Sequence, residues 1–214
     1  MTTASVDRPE ETAERPNKQQ ERTERSTNAL LQAASELIVE GGFDSLTFAA
    51  IGERAGYSRG LVTARFGNKD GLIEALIERI VTTWSHKNVL PQTKGQPGMQ
   101  RLVRLLGAIK AQAERDPAGL RVLYALMFEA GGDQDLRERF ARFHESMRAD
   151  FEAGVKAGKR DGTVRADVNA RREGVFLVAA LRGIAYQWQL DPDEFDPVDA
   201  LQYLIETTEE RLRP

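Results

Sequence analysis

From about Thr23 onward, apolar residues recur every three or four positions, and nowhere do they alternate with polar ones as in a strand. Leu30, Leu31, Ala34, Leu37 and Ile38 share one helical face, and Gly41-Gly42 ends that helix. Thr47 is placed to cap a short helix ending at Ala55, with Ile51 and Ala55 inward. After Gly56, Ser58 caps a second short helix through Phe66, with Val62 and Phe66 inward. Asn68 or Lys69 opens a longer helix bearing Leu72, Leu76 and Ile80, joined by Ile73 and Ile77. Residues 1–22, with mixed charge, two prolines and little to bury, are expected to form a solvated, disordered tail.

The second half continues the pattern. Lys87 to Gly98, with two prolines and two glycines, is expected to be a loop. Leu102 to Ala113 forms a helix with Leu102, Leu105, Leu106 and Ile109 inward. Asp116-Pro117 pairs a cap with a first-turn proline and opens a helix to about Glu129. Gly131-Gly132 breaks it, and Asp133 is placed to cap a long helix carrying Leu136, Phe140, Phe143, Met147, Phe151 and Val155. Asp167 is expected to cap a helix reaching Leu190, whose segment Val175–Leu181 is apolar all round and so expected to be buried from every side. Asp196-Pro197 starts the last amphipathic helix, with Leu201, Leu204, Ile205 and Leu212 inward. The fold class is all-α, with about nine helices.

Composition narrows what such a bundle does. No cysteine is present, which excludes disulfides and thiolate chemistry. No run of apolar residues is long enough for a membrane span, and the first 25 residues lack the apolar core of a secretory signal, so the cytoplasm is the expected location. His86 and His144 stand far apart without ligand-spaced neighbours, so no metal site is expected. Nucleophile elbow, phosphate loop and dinucleotide fingerprint are all missing. Neither an enzyme nor a cofactor is indicated. Net charge is −3, unpromising for a nucleic-acid binder, yet counterion release depends on the local surface. Between Glu53 and Lys69, Arg54, Arg59, Arg65 and Lys69 face a single acidic side chain.

That positive stretch coincides with the segment TFAAIGERAGYSRGLVTARF, residues 47–66: two short helices about a glycine turn, the sequence form of a helix-turn-helix. The first helix would cross the phosphates while the second enters the major groove. Val62 and Phe66 hold the second helix from behind, leaving Arg59, Gly60, Thr63, Ala64 and Arg65 to meet DNA. Small residues admit close approach, and arginine pairs bidentately with guanine. On periodicity alone, a plain helical hairpin with solvated arginines fits equally well.

The stretch from about Arg25 to Ile80 resembles the DNA-binding domain of the TetR family of repressors. The matching features are Glu40-Gly41-Gly42-Phe43, Thr47, Ile51, Ala55-Gly56, Ser58, Gly60, Phe66 and Asn68-Lys69 running to Leu72. The resemblance implies an all-helical regulator with a disordered tail (1–22), a reader (23–84) and an effector-binding and dimerisation domain (85–214). It implies phosphate contacts at Thr47 and Lys69, a base or phosphate contact at Arg59, and backbone contact near Arg65. Thr63 replaces a phosphate-binding tyrosine and has less reach; Leu61 either touches a thymine methyl or packs. Gly52 stands where alanine is common.

For the second half the family implies helices around a cavity, then two long helices, here about 167–190 and 196–212, pairing with a second copy. The segment 183–192 also resembles the end of the family's eighth helix. A monomeric core is the alternative. Tyr124, Phe128, Phe143, Phe151 and Phe176, with Arg182, are candidates for contacting a small-molecule effector, although aromatics at such spacing also serve as plain core; Phe140 belongs to the same aromatic set. The expected partners are an operator duplex, a second copy and an effector. A different reading, an interaction module that kept the fold and lost DNA binding, draws on the net charge and the missing tyrosine; Arg59, Arg65 and Lys69 speak against it.

Overall fold

The computed structural model describes residues 18–82, 96–129, 132 and 134–214. Within them lie nine α-helices and a single 3-10 turn, with no strand. They are α1 (Lys18–Gly41), α2 (Phe48–Ala55), α3 (Arg59–Phe66), α4 (Lys69–Thr82), α5 (Gly98–Arg115), α6 (Pro117–Glu129), α7 (Gln134–Asp161), α8 (Ala170–Leu190) and α9 (Pro197–Leu212); the turn is Phe43–Ser45. No described helix is long and apolar enough to cross a membrane.

Several boundaries are set by caps visible in the sequence. Thr47 Oγ1 accepts from Ala50 N, Ser58 Oγ from Leu61 N, and Asp196 from Val198 N ahead of Pro197. Asp116 Oδ1 accepts from Gly119 N at 2.8 Å at the start of α6.

Three boundaries differ from expectation. First, α1 begins at Lys18, so residues 18–22 are helical and not part of the tail. Second, α8 is capped by Asn169, whose side chain accepts from Arg172 N; Asp167 instead pairs with Arg165 at 3.1 Å. Third, α5 starts directly after Pro97, a turn earlier than Leu102. The expected cap Asp133 and residues 87–95 of the expected loop lie outside the described residues, as does His86.

Two cores result. One joins α1 to α4 through Leu30, Ile51, Val62, Leu72 and Leu76, each fully buried. It does not stop at the reader: Val122, Leu123 and Leu126 of α6, with Leu136 and Phe140 of α7, belong to the same cluster. The other gathers α5, α7, α8 and α9 around Leu102, Leu106, Phe151, Val155, Leu177 and Leu212. Leu120 and Phe143 pack against both.

Segment Val175–Leu181 is not buried all round within one chain. Leu177, Val178 and Leu181 are buried, but Val175 and Phe176 are half exposed and Ala179 is exposed. The exposed set continues through Gly183 and Tyr186 to Leu190, spaced by three or four along α8.

Candidate nucleic-acid interface and ligand cavity

The turn between α2 and α3 is tight because two glycines permit it. Gly56 takes a left-handed conformation (φ 73°) that disfavours any side chain bearing a Cβ. At Gly52 a Cβ would stand 2.8 Å from the Tyr57 carbonyl oxygen, so the departure from alanine admits a closer turn. From behind, fully buried Val62 seats α3 in the core that α3 shares with α2 and α4, with Leu61 and Phe66 half-buried beside it.

Outward from that seat, Arg59, Gly60, Thr63 and Ala64 are exposed along α3. Thr47 is exposed at the N-terminus of α2, a natural seat for phosphate. Lys69, exposed at the N-terminus of α4, holds its ammonium 4.0 Å above the Phe43 ring. This cation–π contact carries the charge toward the 3-10 turn that leads into α2.

Arg65 does not join this free face. It is half-buried, and one guanidinium nitrogen donates to the Thr23 and Ser26 hydroxyls of α1, both at 3.3 Å. Its Nε is shut away without a partner. Arg65 ties the end of α3 to α1. Arg54 is likewise committed, forming a fork with Glu40 at 2.9 and 2.7 Å; that contact holds the Glu40 carboxyl below its usual range. Leu61 is half-buried and packs against the reader's core. Thr63 Oγ1 donates to the Arg59 carbonyl at 3.2 Å, turned back on its own helix.

Between the two cores lies a cavity of about 240 Å³. Of the six effector candidates, Tyr124, Phe143 and Arg182 line it. The other three do not. Phe151 is core at 2% exposure; Phe128 and Phe176 are half exposed, Phe128 lying 5.6 Å from the Tyr186 ring. Helical periodicity marks a face, and these three faces meet core or open surface instead of the cavity. Among the wall residues that sequence reasoning missed are Arg79 and Ile80 of α4, Ile109 and Gln112 of α5, and Asp116, Leu120 and Leu123. Most carry an ordinary core pattern with no signal of a void beside them.

Polar chemistry in the cavity centres on Arg182. Its Nη1 donates to Tyr124 Oη at 3.0 Å, and its Nη2 lies 3.0 Å from Met147 Sδ. The rings of Tyr124 and Phe143 flank the guanidinium at 5.3 and 5.8 Å. Burial, partly offset by this cation, pushes the Tyr124 phenol up. His144 is pushed down to about 4, first by burial and then by the charges of Arg182 and Arg148.

The two halves match known families. Residues 30–76 match the description "Bacterial regulatory proteins, tetR family". Residues 98–213, more than half of the chain, match "BetI-type transcriptional repressor, C-terminal". The chain belongs to the TetR family of bacterial regulatory proteins. It is a DNA-binding transcriptional regulator. Among TetR-family relatives, nucleoid occlusion factor SlmA of Glaesserella parasuis is 30% identical over 78% of this chain and 90% of that protein. The regulator TtgR of Pseudomonas putida is 24% identical over 86% and 90%. Among solved structures, a regulator from Saccharomonospora viridis in complex with choline superposes with a TM-score of 0.77 at 19% identity, covering 89% of this chain and 99% of that one.

Proposed function

We propose that this regulator acts as a homodimer placing two α3 helices in successive major grooves of a palindromic operator, about 34–36 Å apart. Residues 23–84 do the reading, while 85–214 bind a small molecule and dimerise. Arg59 contacts a base edge through the open face formed with Gly60 and Ala64. Thr47 and Lys69 hold phosphates on either side. Thr63 is a phosphate contact only if its hydroxyl leaves the Arg59 carbonyl. The exposed apolar stripe of α8 supports pairing with a second copy, because such a strip left in water marks an interface.

One observation carries the ligand response: α4 belongs to both sites. Lys69 opens the helix beside the reader, and Arg79 and Ile80 stand in the cavity wall ten and eleven residues later. At 1.5 Å per residue that is about 15 Å of stiff connection. A ligand that pushes on Arg79 and Ile80 moves α4 and with it the seat of α3. Coupling of roughly 1–3 kcal/mol changes operator occupancy about 5- to 150-fold. Derepression is the expected outcome.

Fluorescence anisotropy with duplexes from the DNA flanking the regulator's own gene tests this reading. Selective binding is expected over a shuffled duplex, and Arg59→Ala should weaken it by about 1–3 kcal/mol while relaxing sequence preference. If no flanking duplex outcompetes the shuffled one, the chain is an interaction module on this fold.

A further inference from the structure

The guanidinium of Arg182 stands in the cavity wall without a counter-charge. Its hydrogen-bonding neighbours are one phenol oxygen (Tyr124) and two thioethers, Met147 at 3.0 Å and Met127 at 3.7 Å. Its Nε is buried without any partner. No carboxylate pairs with it among the described residues. The one carboxylate of the wall, Asp116, is already engaged in capping α6 through Gly119 N. A half-buried cation left to a phenol, thioethers and ring faces has no opposite charge to offset what it loses in hydration. Something negative belongs beside it.

From this we infer that the cavity takes a compact organic anion, a carboxylate with an apolar body, bound head-first to Arg182. This rests on the ligand-responsive reading above and narrows its ligand class. An arginine offers a planar fork that matches a carboxylate with two parallel hydrogen bonds. Leu123, Phe143, Met147, Leu181 and Ile109 supply an apolar bed for the rest of the molecule. At about 240 Å³ the space lies below the ~300–1,000 Å³ of most small-molecule sites, so it suits a ligand on the order of ten non-hydrogen atoms. The second cation of the wall, Arg79, adds to the positive field from α4. It is held by Gln32 Oε1 at 3.0 Å and the Asn28 carbonyl at 3.4 Å. His144, beside Phe143, stays neutral near pH 7 and so adds no charge of its own. An anion arriving at Arg182 also draws on Arg79, which places its pull on the helix that opens with Lys69. The same charges disfavour a quaternary ammonium, so choline, the ligand in the Saccharomonospora viridis complex, is the wrong sign for this wall.

Isothermal titration of the full-length protein with three matched probes tests the sign of the ligand. These are 3-phenylpropanoate, its neutral amide and 3-phenylpropylammonium, with choline as a fourth. The carboxylate should bind roughly tenfold or more tightly than the amide, as a charge-assisted pair requires, and both cations more weakly still. Arg182→Met should bring the carboxylate down to the affinity of the amide, and Arg182→Lys should restore part of the gap. The lysine variant carries the test if the methionine variant does not fold. Equal binding of carboxylate and amide, preference for either cation, or no binding of the carboxylate at millimolar concentration overturns the assignment. The operator assay separates the two readings. A carboxylate that binds through Arg182 and leaves operator affinity unchanged sinks the ligand-responsive reading and spares the ligand class. An amide or cation that binds and releases operator does the reverse.

Discussion

The hydroxyl of Thr63 is spent on its own helix, donating to the Arg59 carbonyl, and this weakens the case for a phosphate contact there more than its short reach does. Lys69 is the better phosphate candidate. Lys69→Ala should lower affinity for all sequences alike and reduce the slope of log affinity against log salt by about 0.9 for each phosphate that the lysine neutralises. An unchanged slope in a salt titration would remove Lys69 from the interface. His144 gives a second prediction, in stability. Between its ordinary pKa of 6.5 and about 4, the unfolded chain takes up a proton that the folded chain refuses. The stability this histidine contributes is therefore complete above 6.5 and lost as pH falls toward 4. His144→Gln should flatten the pH dependence of the urea midpoint in that window, while equal slopes would deny the effect. Residue roles were legible where the partner is local: the caps Thr47, Ser58 and Asp196 bond to atoms two or three positions away. Arg65 was not legible, because its partners lie about forty residues upstream on α1.

On the scale of elements, α8 is the most informative helix. Its inner face is core, and its outer face presents Val175, Phe176, Ala179, Gly183 and Leu190. Apolar residues on every side were readable from the sequence; which side the same chain covers was not, since that depends on where α7 and α9 pack. Behind the outer face, Arg211 of α9 forks onto Glu173, a carboxylate only 6% exposed, and lies 4.8 Å from the Phe176 ring. Phe176→Asp would set a second negative charge beside that pair and in the middle of the stripe. Sedimentation analysis should then show a monomer, with operator affinity reduced because only one half-site is held. A variant that stays dimeric with full affinity would place the interface elsewhere. The start of α8 shows why caps mislead when two candidates stand close together. Asp167 and Asn169 both qualify by residue type, and Arg165 takes the first.

At the scale of the whole molecule, the order of helices was readable and their division of labour was not. The cavity lies where two cores meet, bounded by α4, α5, α6, α7 and α8. Most of its wall residues look like ordinary core in their own helices. Linkage supplies a prediction at this scale. A ligand that weakens operator binding by some factor must itself bind more weakly to the operator complex by the same factor. Titrating one ligand against free protein and against the protein–duplex complex checks this; unequal factors would mean that the two sites are not coupled through one equilibrium. The shared core bears on modularity. Because Val122, Leu123 and Leu126 of α6 complete the packing of α1 and α4, a reader cut at residue 84 would lose part of its hydrophobic interior. Grafting this reader onto a foreign sensor at that seam would yield a poorly folded chimera unless α6 travelled with it. Recombination within such a lineage would therefore be expected to exchange the reader and α6 together.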